Sequence, residues 1–305
     1  MDKMQIDILN QIAGLTDFPQ NGAYNIRIDG KSAGFKSTDN VTISFKEDGT
    51  GMSINVKPGT KERIHIPVVV SAKGHVETVY NDFFIGEDAD IEVVAGCGIH
   101  NSCEETSQHD GIHTFHVGKN AKVIYIEKHY GEGDGKGKNV LNPITDVYLE
   151  PNSYMKIETI QIKGVDSTKR VTRGILKDNT TLIVNEKLMT HGDQFAETEF
   201  DVELNGVNSG AHVTSRSVAK GKSRQVFLSK INGNSECSGH SECDAIIMDD
   251  ASVKAIPEIT ANNVEASLIH EAAIGKIAGE QIIKLMTLGL TEEEAVEQIV
   301  SGFLK

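Results

Sequence analysis

Ile85-Gly86-Glu87-Asp88-Ala89 opens a weak repeat: an aliphatic residue, two further residues, Asp or Asn, a small residue, and then a strand-like segment. The pattern recurs as Val117-Gly118-Lys119-Asn120-Ala121, Leu149-Glu150-Pro151-Asn152-Ser153 and Leu176-Lys177-Asp178-Asn179-Thr180, and more loosely from Met248-Asp249-Asp250-Ala251. The first four copies start at residues 85, 117, 149 and 176, so the steps are 32, 32 and 27 residues. Such periods are typical of solenoids, in which Asn or Asp takes the tight turn and each strand stacks on its equivalent in the next coil.

Short segments rich in Val, Ile and Thr accompany these corners from about residue 24 to residue 256, as expected of strands. They include Val41–Phe45, Ile64–Val70, Ile91–Val94, Val123–Ile126 and Leu182–Val184. We predict a mainly β chain that forms a parallel β-helix. A β-sandwich fits less well, because sandwiches show turn signals about every 8–12 residues. The Gly-rich segment 131–138 is predicted to be a flexible exposed loop and not a phosphate-binding loop, since it lacks the Gly-Lys-Ser/Thr ending.

Helical patterns are confined to the two ends of the chain. An apolar stripe predicts one short amphipathic helix over residues 4–12, ended by Gly14. Two more helices are predicted near the C-terminus, the first from Ile274 to Gly289 and the second behind the capping box Thr291–Glu294. We therefore divide the chain into an N-terminal helical segment (1–23), a β-helix core (24–259) and a C-terminal helical region (260–305).

Composition and charge exclude several classes of protein. The 305 residues include 30 Lys and Arg against 44 Asp and Glu, which gives a formal net charge of −14. This balance argues against a protein that grips nucleic acid or an anionic membrane surface, because both need a basic face. No apolar run is long enough to span a membrane, and the N-terminus lacks a signal pattern. Four cysteines without an export signal indicate thiols in a reducing compartment, so we expect a cytoplasmic protein.

The four cysteines form two C-x5-C pairs, Cys97 with Cys103 and Cys237 with Cys243. Histidines lie near both pairs, and a His270-Glu271 pair follows the second. Zinc sites favour C-x2–4-C, and proteins with a resident iron–sulfur cluster usually carry a more compact cysteine set. The sparse mixture of thiol, imidazole and carboxylate suits a labile or shared site. A free cysteine also often only packs in a core, and His113 and His116, which flank Phe115, are more often polar groups on a solvated face.

The C-terminal third carries an ordered string of motifs. They are Ser238-Gly239-His240-Ser241-Glu242-Cys243-Asp244-Ala245-Ile246-Ile247, Ile256-Pro257-Glu258-Ile259, His270-Glu271-Ala272-Ala273-Ile274-Gly275-Lys276-Ile277, Gly289-Leu290-Thr291-Glu292-Glu293-Glu294-Ala295 and Gly302-Phe303. This string resembles the SufB/SufD family of iron–sulfur cluster assembly proteins, over about residues 80–305. The resemblance implies a right-handed parallel β-helix flanked by helical ends, in agreement with the repeat.

The resemblance also implies roles for individual residues. Cys243 matches the assembly thiol of the Cys-Asp motif, and Glu271, beside His270, matches a candidate metal ligand. Cys97 is the best match for a thiol that accepts sulfur as a persulfide, a task that needs exposure and a lowered pKa. The remaining candidates for cluster binding are Cys103, Cys237 and His240. The expected cargo is a transient iron–sulfur cluster of the 4Fe-4S type.

Partners follow from the same resemblance. We expect a SufC-type ATPase to dock on the helical region at about Gly275–Phe303, and a second copy of the chain to pair through the β-helix. The chain lacks the long N-terminal region of bacterial SufB, so it resembles the compact scaffold of a minimal SufB–SufC system, in which a homodimer is expected. The other expected partners are a sulfur donor such as a cysteine desulfurase and apo iron–sulfur proteins, with ATPase activity in the partner and none in this chain.

Two alternatives remain open. The first is a SufD-like accessory subunit of the same complex, with incidental thiols and no cluster site of its own. The second is a carbohydrate-active β-helix such as a polysaccharide lyase. The low aromatic content of 5% disfavours the second alternative, because sugars stack on aromatic rings.

Overall fold

Twenty strands and three helices make up the chain, all 305 residues of which are described by a computed structural model. The helices are α1 (Lys3–Ala13), α2 (Gly279–Met286) and α3 (Glu292–Phe303). The strands are β1 (Tyr24–Ile28), β2 (Lys31–Lys36), β3 (Val41–Phe45), β4 (Gly51–Val56), β5 (Lys61–Val70), β6 (Val76–Ile85), β7 (Asp90–His100), β8 (Ser107–Val117), β9 (Lys122–Glu132), β10 (Asn139–Leu141), β11 (Ile144–Leu149), β12 (Tyr154–Lys163), β13 (Ser167–Leu176), β14 (Thr181–Thr190), β15 (Phe195–Leu204), β16 (Ser209–Ala219), β17 (Arg224–Gly233), β18 (Cys237–Ile247), β19 (Ser252–Ala261) and β20 (Ala266–Gly275).

The strands alternate between two facing sheets and build a β-solenoid of about 8 turns. Sheet A has the order β2-β1-β5-β7-β9-β12-β14-β16-β18-β20. Sheet B has the order β19-β17-β15-β13-β10-β8-β6-β4-β3. Strand β11 continues the line of β10 and, like β10, pairs with β8 on one side and with β13 on the other. Neighbouring strands are parallel except in the hairpins β1–β2 and β3–β4 at the N-terminal end. The predicted mainly β fold and its stacked coils are therefore confirmed.

Asparagine and aspartate residues form one corner of the solenoid, as the repeat predicts. Five of them have φ between 55° and 64°, which Asn and Asp tolerate better than other non-glycine residues, and they are Asp88, Asn120, Asn152, Asn179 and Asn208. Each amide Nδ2 donates to the side chain of the previous corner over 2.9–3.2 Å. The corner at Asn208 was not predicted, because three residues and not two separate Leu204 from Asn208.

The hydrogen bonds between successive corner side chains form a ladder along the solenoid, and this ladder gives a stability prediction at Asn152. Its Nδ2 donates to Asn120 and its Oδ1 accepts from Asn179, both at 3.1 Å. Asn152→Ala is expected to lower the free energy of unfolding by about 1–2 kcal/mol, because alanine is strained at this positive φ and the ladder is interrupted. Asn152→Gly removes the same hydrogen bonds without the strain and is expected to cost less. Urea unfolding of both variants measures the difference, and equal losses would contradict the strained-corner explanation.

Helix α1 packs on the outer face of sheet A, over β5, β7 and β9. A capping box between Asp2 and Gln5 starts it, and Gly14 in the left-handed conformation ends it, as predicted. Its buried side chains are Ile8, Leu9 and Ile12. A Cβ atom on Gly98 of β7 would lie 2.1 Å from Ile8 Cγ2, so the glycine permits the close approach. The N-terminal segment is therefore fixed directly behind the strand that carries Cys97.

The C-terminal end differs in part from the prediction. Strand β20 pairs in parallel with β18, so the β-helix extends to Gly275, beyond the expected boundary at residue 259. Ile274 belongs to this strand and not to a helix. The capping box at Thr291 and Glu294 starts α3 as predicted. Helix α2 has no buried residue, and Ala295 is the only buried residue of α3. No helix of the chain is long and apolar enough to cross a membrane.

Candidate functional site

One row of inward-facing side chains crosses sheet A and ends at a cysteine. The parallel register aligns Glu127, Thr159, Glu186, Ser215 and Cys243 on five neighbouring strands. Each of these residues is at most 4% exposed. Neighbouring strands are about 4.8 Å apart, so the row is a buried polar path roughly 19 Å long. Buried polar groups are costly unless they are paired, so the partners of these side chains decide what the row can do.

Cys243 occupies the C-terminal end of the row. It faces inward from β18 between Ser215 of β16 and Ala272 of β20, and it is 1% exposed. Burial raises the pKa of its thiol to about 12, and the negative charges of Glu186 and Asp244 add to the shift. The thiol is therefore protonated in the isolated chain at neutral pH. Only the coil formed by β19 and β20 separates it from the open end of the solenoid.

Cys97 lies toward the N-terminal end of the interior, on the adjacent inward row, with β5 and β1 between its strand and that end of sheet A. It faces inward from β7 beside His129 of β9 and is 6% exposed. Burial, followed by the charges of Glu127 and Glu77, raises the pKa of its thiol well above the usual value. The exposure and the lowered pKa that the sulfur-accepting role requires are therefore not met in the isolated chain, because the cysteine faces the interior. Five strand-to-strand steps separate β7 from β18, or roughly 24 Å.

An arginine from the opposite sheet connects the carboxylates of this row. Arg170 of β13 binds Glu127 Oε2 through Nη1, and its Nε lies 3.7 Å from Glu186 Oε1. Glu186 also accepts hydrogen bonds from Thr198 Oγ1 at 2.9 Å and from Ser215 Oγ at 2.7 Å. The guanidinium is 5% exposed. The middle of the solenoid therefore holds a paired ionic network between the buried thiols of Cys97 and Cys243.

A hydrogen-bond chain extends the network toward the N-terminal end. Burial by itself would raise the pKa of Glu127, but the charge of Arg170 lowers it well below its usual value, so Glu127 is ionised. Tyr125 Oη donates to Glu127 Oε1 at 3.0 Å, and His113 Nδ1 lies 2.7 Å from Tyr125 Oη. His113 is buried, so its predicted place on a solvated face is wrong, and burial lowers its pKa to about 4, so its imidazole is neutral. With Nδ1 as the donor to Tyr125, its Nε2 is free to accept from Asn81 Nδ2 at 3.3 Å.

The sequence analysis did not predict this network. A signal was present at Glu127. It follows Val123 and Tyr125 at steps of two residues, so all three side chains lie on the same side of a strand and Glu127 occupies an inward position. The partner Arg170 is 43 residues away in sequence and belongs to the other sheet. Only the fold brings the two side chains together.

His240, His270 and Glu271 are close in space but do not share one face of the sheet. In the register of β18 and β20, Ser241 pairs with His270 and Cys243 pairs with Ala272, so His270 belongs to the inner rows. Glu271 belongs to the outer rows, where its Oε2 lies 3.4 Å from His240 Nε2. The structure therefore brings Glu271 next to His240. Glu271 lies on the opposite face of the sheet from Cys243.

The two additional cysteines occupy separate places. Cys237 is buried at the start of β18, six residues before Cys243 and roughly 20 Å from it along the strand. Cys103 lies in the loop after β7, where its Sγ is 3.2 Å from Asn101 Oδ1. The Gly-rich segment 131–138, predicted to be a flexible exposed loop, begins within β9 and then packs on this loop, where Gly137 N donates to Cys103 O at 2.9 Å. A Cβ atom on Gly135 would lie 2.3 Å from Cys103 O, which explains the need for glycine there.

Within one chain, no three His, Cys, Asp or Glu side chains surround a common point that could hold a metal ion. The buried thiols and the ionic network nevertheless provide soft sulfur donors and paired charges along one interior.

Comparisons with known proteins give the family. The family model described as SUF system FeS cluster assembly, SufBD core domain, matches residues 37–303. An iron-sulfur cluster assembly SufBD family protein of Archaeoglobus fulgidus is 29% identical over 274 residues, which cover 88% of this chain and 72% of that protein. A second, from Methanothermobacter thermautotrophicus, is 28% identical over 83% of this chain and 62% of its own length. A third, from Methanocaldococcus jannaschii, is 28% identical over 85% of this chain and 82% of its own length.

The family match covers most of the chain and includes the three buried cysteines, the ionic network and the open C-terminal coil. The stacked parallel coils agree with the architecture that the motif string implied. This chain belongs to the SufBD family of iron–sulfur cluster assembly proteins.

Proposed function

We propose that this chain is a scaffold for iron–sulfur cluster assembly that works with a SufC-type ATPase in the cytoplasm. It accepts persulfide sulfur, iron and, from an external reductant, the two electrons that convert each persulfide sulfur into sulfide. It holds the nascent cluster as cargo and transfers it to apo proteins, while ATP hydrolysis takes place in the partner. The observation that supports this function most is the buried polar row that begins at Glu127, on the strand next to that of Cys97, and ends at Cys243.

The first proposed step is sulfur transfer to Cys97. The Cys97 thiol loses its proton, and the resulting thiolate attacks the terminal sulfur of a donor persulfide. A new S–S bond forms at Cys97, the S–S bond of the donor breaks, and the donor leaves as a thiolate that takes up the proton. Since Cys97 is buried and its pKa is raised, the step requires the N-terminal end of the solenoid to open. Delivery to Cys243 would require its thiolate to attack the terminal sulfur of the Cys97 persulfide, which forms a new S–S bond at Cys243, breaks the one at Cys97 and leaves Cys97 as a thiolate.

The second proposed step takes place at the open C-terminal end. The last coil presents unpaired strand edges on β19 and β20 together with exposed apolar side chains, among them Ile256, Ile259 and Ile269. Unprotected edges with apolar surface usually pair with another chain. A homodimer through this end would place two copies of Cys243 near one two-fold axis. Glu271 and His270 are the proposed further ligands, and Glu271 would have to come from a rearranged β20 or from the partner copy.

The ATPase is proposed to dock on α2 and α3. Ile283 and Met286 of α2 are 62% and 42% exposed, and Leu288 after it is 76% exposed. An amphipathic helix with no buried residue indicates an uncovered interaction surface. ATP-driven movement of the docked partner would then open the interface near Cys243.

The alternative is a SufD-like accessory subunit without a cluster site. The observation that favours it is the separation of Cys243 and Glu271 on opposite faces of sheet A in the single chain. Under this alternative the chain still binds the ATPase, but it does not hold iron and sulfide by itself.

Co-purification with a SufC-type ATPase under argon tests the proposal, followed by loading with Fe²⁺ and sulfide and Mössbauer spectroscopy. We expect a stable complex and thiolate-bound iron. Ile283→Asp is expected to weaken the complex at least about tenfold, since it buries a charge in an apolar contact. The matched control Val207→Asp changes an apolar residue that is 47% exposed at a remote corner and is expected to have no effect. If the complex survives Ile283→Asp as well as Val207→Asp, the proposed docking surface is refuted. A complex that binds no iron would favour the accessory subunit.

A further inference from the structure

Two histidines lie side by side on the outer face of sheet A, near its open end. His212 of β16 and His240 of β18 are direct partners in the parallel register, and their ring centroids are 4.8 Å apart. Imidazoles at this distance on adjacent strands can bind one ion together, because each metal–nitrogen bond is about 2.0–2.1 Å long. The pair is therefore a candidate for chelation that the thiol chemistry does not use.

The second observation is an unpaired nitrogen. His240 Nε2 is buried and has no hydrogen-bond partner, although Glu271 Oε2 lies 3.4 Å away. A buried polar atom without a partner is uncommon in proteins and calls for an explanation. The Glu271 side chain is 67% exposed, so its carboxylate can turn toward the two rings without disturbing the core.

The surroundings suit a hydrated cation. Glu242 follows His240 on the same outer face and pairs with Glu271 in the register. A cavity of about 480 Å³ adjoins both rings and is also lined by the polar residues Ser238 and Ser267. Two acidic side chains raise the local concentration of divalent ions, and the cavity leaves room for water ligands.

We propose that His212, His240 and Glu271 form a binding site for a divalent transition-metal ion. Two imidazoles and one carboxylate, with open positions for water, are a ligand set typical of non-haem iron(II). The three groups do not yet surround one point, and rotation of the exposed Glu271 side chain completes the set.

The assignment of ferrous iron as the ion rests on the proposed function, whereas the site itself does not. Cys243 faces the interior and the histidine pair faces the outside, so one sheet separates them. Iron is thus held apart from the thiol until the last coil rearranges. In the resting chain Glu271 is a ligand of the outer site. It leaves this site when β20 moves.

Anaerobic titration of the full chain with Co²⁺ alone tests this site, because cobalt absorption reports its ligands. The wild-type chain is expected to bind one Co²⁺ with d–d absorption but without thiolate-to-cobalt charge transfer, and excess Fe²⁺ is expected to displace it. His212→Ala and His240→Ala are each expected to weaken binding at least tenfold, and Glu271→Gln about tenfold. His116→Ala is the matched control, because this exposed histidine stacks between Phe84 and Tyr148 on sheet B. It is expected to leave binding unchanged.

The Cys243→Ser variant separates this inference from the proposed function. If Co²⁺ binds equally to wild type and Cys243→Ser but not to the histidine variants, the site is supported even when cluster reconstitution fails. Absence of Co²⁺ binding, binding that survives both histidine substitutions, or a thiolate signature that disappears in Cys243→Ser would overturn the site. Failure of Fe²⁺ to compete would overturn only the assignment to iron.

Discussion

Arg170→Met is expected to lower the free energy of unfolding by about 3–5 kcal/mol, which is the cost of leaving a buried carboxylate without its partner. Arg170 binds Glu127 and lies 3.7 Å from Glu186, and all three side chains are at most 5% exposed. Methionine fills a similar volume but supplies no charge. Urea unfolding followed by circular dichroism measures the loss. Such a loss is a large fraction of the stability of a typical domain.

Arg173→Met provides the matched control on the same strand. Arg173 is 52% exposed, faces outward from β13 and pairs with Asp146 at 3.1 Å. Exposed ion pairs contribute about 0–1 kcal/mol, so this variant is expected to remain close to wild type. Equal losses in the two variants would show that the interior network contributes no more than a surface pair.

The pH dependence gives a second readout for Arg170. In the wild type the pKa of Glu127 lies below its value in the unfolded chain. Its contribution to stability is therefore present above the unfolded pKa of about 4.3 and is lost as the pH falls below it. Without Arg170, burial becomes the main influence and the pKa is expected to rise above the unfolded value. The variant should then regain stability between pH 7 and pH 5 as Glu127 takes up a proton in the folded state. A variant that loses stability over this range would contradict the network.

The parts of the fold that follow from local chemistry were predictable from the sequence. The corner at Asn152 needs a residue that tolerates positive φ, and the ends of α1 and α3 need capping residues such as Thr291. These requirements leave a signature within a few residues of each other. The spacing of the corners then predicts stacked coils without any knowledge of contacts.

The site depends on registers that local chemistry does not determine. Glu271 and Cys243 are 28 positions apart, and the lengths of the corners between β18 and β20 decide which residues face each other. Because side chains alternate along a strand, a shift of one residue would move Glu271 to the inner face. The same argument applies to Arg170, which faces inward in sheet B toward two carboxylates of sheet A. Corner lengths vary along this chain, so these pairings could not be derived from the repeat.

Cys243→Ser is expected to abolish the thiolate-to-iron absorbance that develops when the chain is loaded anaerobically with Fe²⁺ and sulfide. Serine is a hard oxygen donor and does not replace a soft thiolate on a cluster iron. The fold should tolerate the change, since Ser241 and Ser215 already place hydroxyl groups in the same interior. Circular dichroism confirms folding. Cys103→Ser is the control, because Cys103 lies in a loop outside the interior. This variant is expected to retain the thiolate-to-iron absorbance if Cys103 takes no part in cluster binding.

Cys97→Ser separates the two proposed roles of the thiols. If Cys97 accepts sulfur and Cys243 holds the cluster, Cys97→Ser should assemble a cluster from free sulfide but lose assembly from a persulfide donor. Cys243→Ser should fail with both sources of sulfur. The two thiols are roughly 24 Å apart across the sheet, so one cannot replace the other without a change of fold. Normal assembly by Cys243→Ser with either source would contradict the scaffold function and leave the accessory role. Equal failure of both variants with both sources would instead indicate that the interior acts as one site.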